Sequence, residues 1–176
     1  MPVLKFLLFL LMSQAPFTLF QFSDQADLSA WRIVNDGVMG GLSKGKLTLS
    51  EQGHGVFTGF VSLENNGGFT MIQHAFRPVE ATHFTSLEIR LKGDGKKYQV
   101  RLKSSPTQYY NYSHTVSTTG EWQSIKIPFS EFRPQFRGRQ LSKAPYPGQE
   151  LGEVAILIGN KKAESFRLEI DEITLK

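Results

Sequence analysis

The chain of 176 residues contains no cysteine, which removes disulfides, thiolate zinc centres and thiol nucleophiles from the available chemistry. Only four histidines are present. His54, His74, His83 and His114 stand far apart, and none has the paired spacing of a helical zinc site. No apolar run approaches the roughly 20 residues of a spanning helix, and no stretch carries a convincing amphipathic-helix repeat. Basic residues outnumber acidic ones, giving a net charge of +4. They are scattered rather than clustered in a reader motif, so a nucleic-acid partner is not expected.

What the chain does have is glycine, proline and phenylalanine, at 16, 8 and 14 copies. These residues punctuate short apolar stretches, the mark of many brief strands joined by turns. With 40% hydrophobic and 20% charged residues, the chain can bury a core and fold as one domain. At the N-terminus Lys5 precedes an apolar run from Phe6 to Met12, and Ser13 and Ala15 have the spacing of a cleavage site. Residues 1–15 therefore read as a signal peptide or, since Pro16 disfavours cleavage, as an apolar extension of a domain over 16–176. The first reading places the protein in the periplasm, the cell envelope or the medium; the alternative is a cytoplasmic or membrane-associated protein.

Strands are expected over Phe17 to Phe22, Trp31 to Val34, around Leu47 and Leu49, over Val56 to Leu63 with a bulge at Gly59, and over Phe69 to Phe76. Leu87, Ile89 and Leu91 alternate with Glu88, Arg90 and Lys92, and Tyr98, Val100 and Leu102 alternate with Gln99, Arg101 and Lys103. The intervening Gly-Asp-Gly-Lys predicts a hairpin. Tyr109 to Val116 and Trp122 to Ile127 read as a second pair, followed by an ordered surface loop from Pro128 to Glu150. Val154 to Ile158 is apolar on both parities, as in a strand covered on both faces, and Ser165 to Leu175 closes the domain. About ten strands without a helix predict an all-β, two-sheet antiparallel sandwich of jelly-roll type.

Several motifs approach known chemistry and fail on context. Gly41, Ser43 and Gly45 match a hydrolase nucleophile elbow, but a strand pattern follows where a helix is required. Gly40, Gly45 and Lys46 approach a phosphate loop, with Leu47 where Ser or Thr would hold magnesium. Asp36 and Glu64 are the minimum for a glycosidase carboxylate pair, and Asp171 or Glu172 for a structural calcium site. No catalytic group and no cofactor are expected, with structural calcium as the reserve possibility.

Two glycine-rich loops carry more. Asn35, Asp36, Gly37, Met39, Gly40 and Gly41 form the first, and Glu64, Asn65, Asn66, Gly67 and Gly68 the second. Their side chains either bond local amides in tight turns or meet a partner. Trp122 has the parity of an outward aromatic, able to stack on a sugar or anchor a protein, or else packs beneath a loop. Arg137 and Arg139 lie in the most basic local stretch, suited to anionic groups or simply solvated.

The order Trp31-x-x-x-Asn-Asp-Gly-Val-Met-Gly-Gly-x-Ser43, then Ser62 to Phe69, Gly93 to Leu102, Trp122 to Phe132, Phe136 to Arg139 and Leu151 to Ile173, resembles the complex I intermediate-associated protein 30 family from Phe20 to Leu175. The resemblance implies a galactose-binding-like jelly roll and, for mitochondrial members, a chaperone-like role as assembly factors of respiratory complex I. It marks the residues of both glycine-rich loops from Asp36 onward as signature positions and names no catalytic group among them. The expectation is a non-enzymatic protein-binding module, its partner a membrane or respiratory complex, acting through both loops, Trp122, Arg137 and Arg139. A carbohydrate-binding module of an exported protein is the alternative.

Overall fold

Alternating sequence becomes strand throughout the computed structural model, which describes residues 15–176. The expected leader lies outside the described residues, apart from Ala15. In chain order the strands are β1 (Phe17–Gln21), β2 (Trp31–Asn35), β3 (Lys44–Leu49), β4 (Gly55–Val61), β5 (Thr70–Glu80), β6 (Ser86–Lys92) and β7 (Lys97–Lys103). They continue with β8 (Asn111–Ser117), β9 (Trp122–Pro128), β10 (Arg133–Phe136), β11 (Arg139–Gln140), β12 (Glu150–Ile158) and β13 (Glu164–Leu175). Helical structure among the described residues is confined to single 3-10 turns.

The strands form two antiparallel sheets. One has the order β3-β4-β13-β6-β9, with β1 also paired to β13; the other runs β11-β10-β8-β7-β12-β5-β2. A register shift between Ile170 and Glu172 divides β13. Its first part pairs with β4 and its last residues with β1, while β6 follows the opposite edge. Between the sheets the inner parities meet. Leu87, Ile89, Leu91, Leu168 and Ile170 of one face Tyr98, Val100, Leu102, Val154 and Ile156 of the other, all in one buried cluster. β12 lies between β5 and β7, and both its parities are buried from Leu151 to Ile158, as the unbroken apolar run predicts.

Four local expectations are corrected. β6 and β7 are not a hairpin, because β6 pairs with β13 and β9 whereas β7 pairs with β12 and β8. Four residues, Gly93 to Lys96, arch across the roughly 10 Å between sheets. Asp94 anchors this arch by accepting from the Tyr98 hydroxyl at 3.0 Å, Lys96 Nζ at 2.8 Å and the Arg167 amide at 2.9 Å. β8 and β9 likewise belong to different sheets, and their connection is tied to the first arch where Thr118 donates its amide and hydroxyl to the Lys96 carbonyl.

The stretch from Pro128 to Glu150 is more than a loop. It contains β10 and β11, closed by a two-residue turn in which Arg137 and Gly138 have φ of 48° and 77°, the primed geometry that matches strand twist. Phe132 and Tyr146 from the same stretch enter the core. Finally, Gly59 makes no bulge: β4 runs in unbroken register with β3 and β13. A side chain there would overlap the Lys44 carbonyl of β3.

Ile156→Ala, at the centre of the most enclosed strand, is expected to lower unfolding free energy by about 2–5 kcal/mol. Urea denaturation checks this, the slope m staying at its wild-type value.

Candidate functional site

β2 is an edge strand of the seven-stranded sheet, and its end delivers Asn35 and Asp36 to a 3-10 turn, Asp36–Met39. The connection from β4 to β5 delivers a second such turn, Glu64–Asn66. β2 pairs with β5 and β3 with β4, so the sandwich brings the two glycine-rich loops side by side.

A buried carboxylate joins them. Asp36 Oδ1 accepts from the Ser43 amide at 3.1 Å, and Oδ2 accepts from the Ser43 hydroxyl, the Gly68 amide at 2.7 Å and the Phe69 amide at 3.3 Å. Ser43 Oγ in turn accepts from the Ser62 amide at 3.0 Å. Asn65 Nδ2 donates to the Gly40 carbonyl at 3.0 Å. At the base of the first loop Asn35 Oδ1 accepts from the Gly45 amide at 3.1 Å and the Thr70 hydroxyl at 2.6 Å. The bonds from Asp36 to Gly68 and Phe69, from Ser43 to Ser62 and from Asn65 to Gly40 cross between the two loops, while those from Asp36 to Ser43 brace the first loop itself, so the loops are a single rigid unit.

Glycine at 41 and 67 follows from this arrangement, since a side chain at either position would collide with the Asp36 carboxylate. Burial alone pushes the Asp36 pKa up, but the Ser43 hydroxyl and the amides of Gly68, Phe69 and Ser43 outweigh it and hold the carboxyl below its ordinary value. Among the described residues no cation pairs with Asp36; amide and hydroxyl donors alone satisfy its charge.

The structure thus gives Asn35, Asp36, Gly41 and Gly67 local bonding or packing roles. Gly37, Gly40, Glu64, Asn65 and Asn66 remain exposed around the unit. The side chains of Val38 and Met39 lie outside what the structure describes. Three apolar residues absent from the expected site stand exposed beside the loops: Leu42 at 49%, Phe60 at 47% and Leu63 at 46%. Leu42 and Leu63 directly flank the bonded Ser43–Ser62 pair, and Phe60 lies opposite Lys44 on the neighbouring strand. Phe60 was legible as the outward-parity aromatic of β4. Leu42 was legible only as an apolar interruption of a polar loop, and Leu63 was read as the end of the strand that the structure closes at Val61.

Other expected site residues fall elsewhere. Arg137 and Arg139 sit at the β10–β11 turn, at the far edge of the seven-stranded sheet from β2. There Arg137 lies 5.3 Å over the Phe136 ring, which contacts Tyr109 at 5.5 Å. Trp122 is half-buried on the six-stranded sheet, at the outward parity its position predicts. It rests 4.5 Å from the His54 ring with Arg90 5.4 Å over it. Asp171 contacts Arg90 and Gln21, each at 3.0 Å.

The chemistry of the near-motifs can also be placed. Ser43 is buried, and its hydroxyl bonds Asp36 and Ser62 rather than a histidine. β3 begins at Lys44, so neither a nucleophile elbow nor a phosphate loop has the helix that it requires.

Residues 20–170 match the family model described as Complex I intermediate-associated protein 30 (CIA30). Among similar curated proteins, the mouse "Complex I intermediate-associated protein 30, mitochondrial" is 27% identical over 87% of this chain and 54% of its own length. The Caenorhabditis elegans "Probable complex I intermediate-associated protein 30, mitochondrial" is 29% identical over 88% of this chain and 52% of its own. The chain therefore spans about half the length of the curated relatives it matches. Among solved structures, the family 11 carbohydrate-binding module of the Clostridium thermocellum cellulosomal cellulase Lic26A-Cel5E superposes with a TM-score of 0.65. It is 15% identical, covering 93% of this chain and 95% of the module, a likeness of fold that confirms the jelly-roll class.

Asp36→Asn is expected to lower stability at neutral pH by on the order of 2 kcal/mol, because charge-assisted bonds weaken and one acceptor becomes a donor facing amides. The Asp36 pKa is depressed by folding, so its contribution is complete above about pH 4, the unfolded value, and is lost as pH falls through the folded value. Thermal melts of both proteins as a function of pH should converge in acid.

Proposed function

We propose, from the premise that this chain belongs to the complex I intermediate-associated protein 30 family, that it is a non-enzymatic protein-binding module acting in the assembly of a membrane complex. The observation that carries this reading is the pair of loops stapled through Asp36, with Leu42, Phe60 and Leu63 exposed beside them. A rigid loop platform loses little conformational freedom on docking, and apolar side chains grouped on its surface are of the kind that protein interfaces bury. Asp36 acts in this scheme by fixing the platform, while the exposed residues make the contact. The relatives named as intermediate-associated proteins support an assembly role; the partner of this chain is our inference.

The mitochondrial names of the relatives fit a membrane-associated setting and lend no support to the export suggested by the leader. Carbohydrate binding, the alternative, would draw on Tyr109, exposed at 64%, and its neighbour Phe136, since sugars need a stacking face. Cofactor-free binding is part of the proposal. Asp171 is already met by Arg90 and Gln21, so the melting temperature is expected to be the same in calcium and in chelator.

Affinity capture from solubilised native membranes tests the main reading. Wild type is expected to retain a specific protein partner that Leu42→Ser/Leu63→Ser loses by tenfold or more, roughly the effect of removing two buried apolar anchors, while melting as wild type does. Undiminished capture by that variant would refute the platform. Retention on immobilised polysaccharide, lost in Tyr109→Ala/Phe136→Ala, would establish the alternative.

A further inference from the structure

The outward face of the seven-stranded sheet holds a groove with different chemistry. Ser29, Ala30 and Pro106 border it, and Arg32, Gln73 and Glu153 line it. Glu153 is its one carboxylate among the described residues and is already satisfied, by Lys103 Nζ at 3.2 Å and Gln73 Nε2 at 2.8 Å. Arg32 extends the same network by donating to Gln73 Oε1 at 3.4 Å.

Register places further basic groups on this face. Arg101 of β7 stands at the same parity as Lys103, opposite Ala155 of β12 and Ser113 of β8, and Ser113 is opposite Arg133 of β10. The Arg101 guanidinium donates through Nε to Gln99 at 2.6 Å and forms no ion pair among the described residues. Arg101 is half-buried, and this partial desolvation lowers its pKa to about 10, as for a cation partly withdrawn from water without a compensating anion. Among the described residues no aromatic ring lines the groove, which leaves a sugar there without a stacking platform.

We infer that this outward face, from the groove at Arg32 across the sheet to Arg101 and Arg133, seats an extended acidic segment of a protein partner, whose carboxylates meet the three arginines across the strands. Arg32 on β2 and Arg101 on β7 are three strand spacings apart, about 14 Å or about four residues of extended chain. Arg133 on β10 lies two spacings further, about 10 Å or three residues. Acidic residues three or four apart therefore match the face, and arginine's planar fork suits each carboxylate. The inference rests on the protein-binding reading above but uses a surface separate from the loops.

The probe is a fluorescent synthetic peptide of about eight residues with Glu at first, fourth and eighth positions, the spacing set by the strands, titrated with the full chain at low and high salt. Tighter binding than its Gln counterpart, weakened by salt, is expected. Arg101→Gln should weaken it by roughly tenfold or more. Arg32→Ala/Arg133→Ala, at more exposed positions, should weaken it by roughly two- to tenfold and keeps the test valid if Arg101→Gln unfolds.

Equal affinity for the Gln peptide, or unchanged affinity in a folded Arg32→Ala/Arg133→Ala protein, overturns the inference. So does binding of a heparin oligosaccharide in place of the peptide. Leu42→Ser/Leu63→Ser should bind the peptide as wild type does. If the peptide fails while capture by the loops persists, only the groove assignment falls; peptide binding without loop-dependent capture would instead remove the platform.

Discussion

Everything in this molecule depends on holding one apolar layer against another. Strands such as β6 and β7 have a single apolar parity, and neither sheet can bury its own inner face alone. Stacking Leu87, Ile89 and Leu91 against Tyr98, Val100 and Leu102 satisfies both. The connections must then cross between layers rather than fold back within one, which makes the Asp94 cluster at the first arch as structural as any core leucine. Its position also fixes where β7 begins, and hence which side chains of that strand face outward.

Alternation made strands and their faces legible, and the unbroken apolar run of β12 revealed a strand enclosed on both sides. Pairing was harder to read. A glycine-containing connection of four residues is long enough for a hairpin and also for an arch, because intersheet distance and hairpin width can both be spanned by it. Only the other partners of β6 and β7 decide between them, and those lie up to the far end of the sequence. β10 and β11 were hidden for another reason: Pro134 and the turn residues break the apolar pattern, while pairing to β8 supplies the order that local sequence does not.

At the loops, residue types were informative but their division of labour was not. Asp36 and its glycines read equally well as contact residues or as internal fastening, because a carboxylate that bonds four donors and one that awaits a partner have the same sequence. Geometry assigns Asp36 to fastening and leaves Leu42, Phe60 and Leu63 as the exposed apolar groups. Arg137 and Arg139 shared a basic stretch in sequence, yet the sheet order carries them to the edge opposite the loops. Proximity across a sandwich is set by strand order, which composition does not encode.

The division of β13 also bears on how the chain acquires its shape. During synthesis β4 and β6 emerge well before the strand that separates them, so each waits with an unpaired edge until Glu164–Leu175 arrives and inserts between them. The six-stranded sheet is therefore completed by a late insertion rather than by successive addition. The interval before that insertion is when the nascent chain is most open to wrong pairings or to capture by other strands.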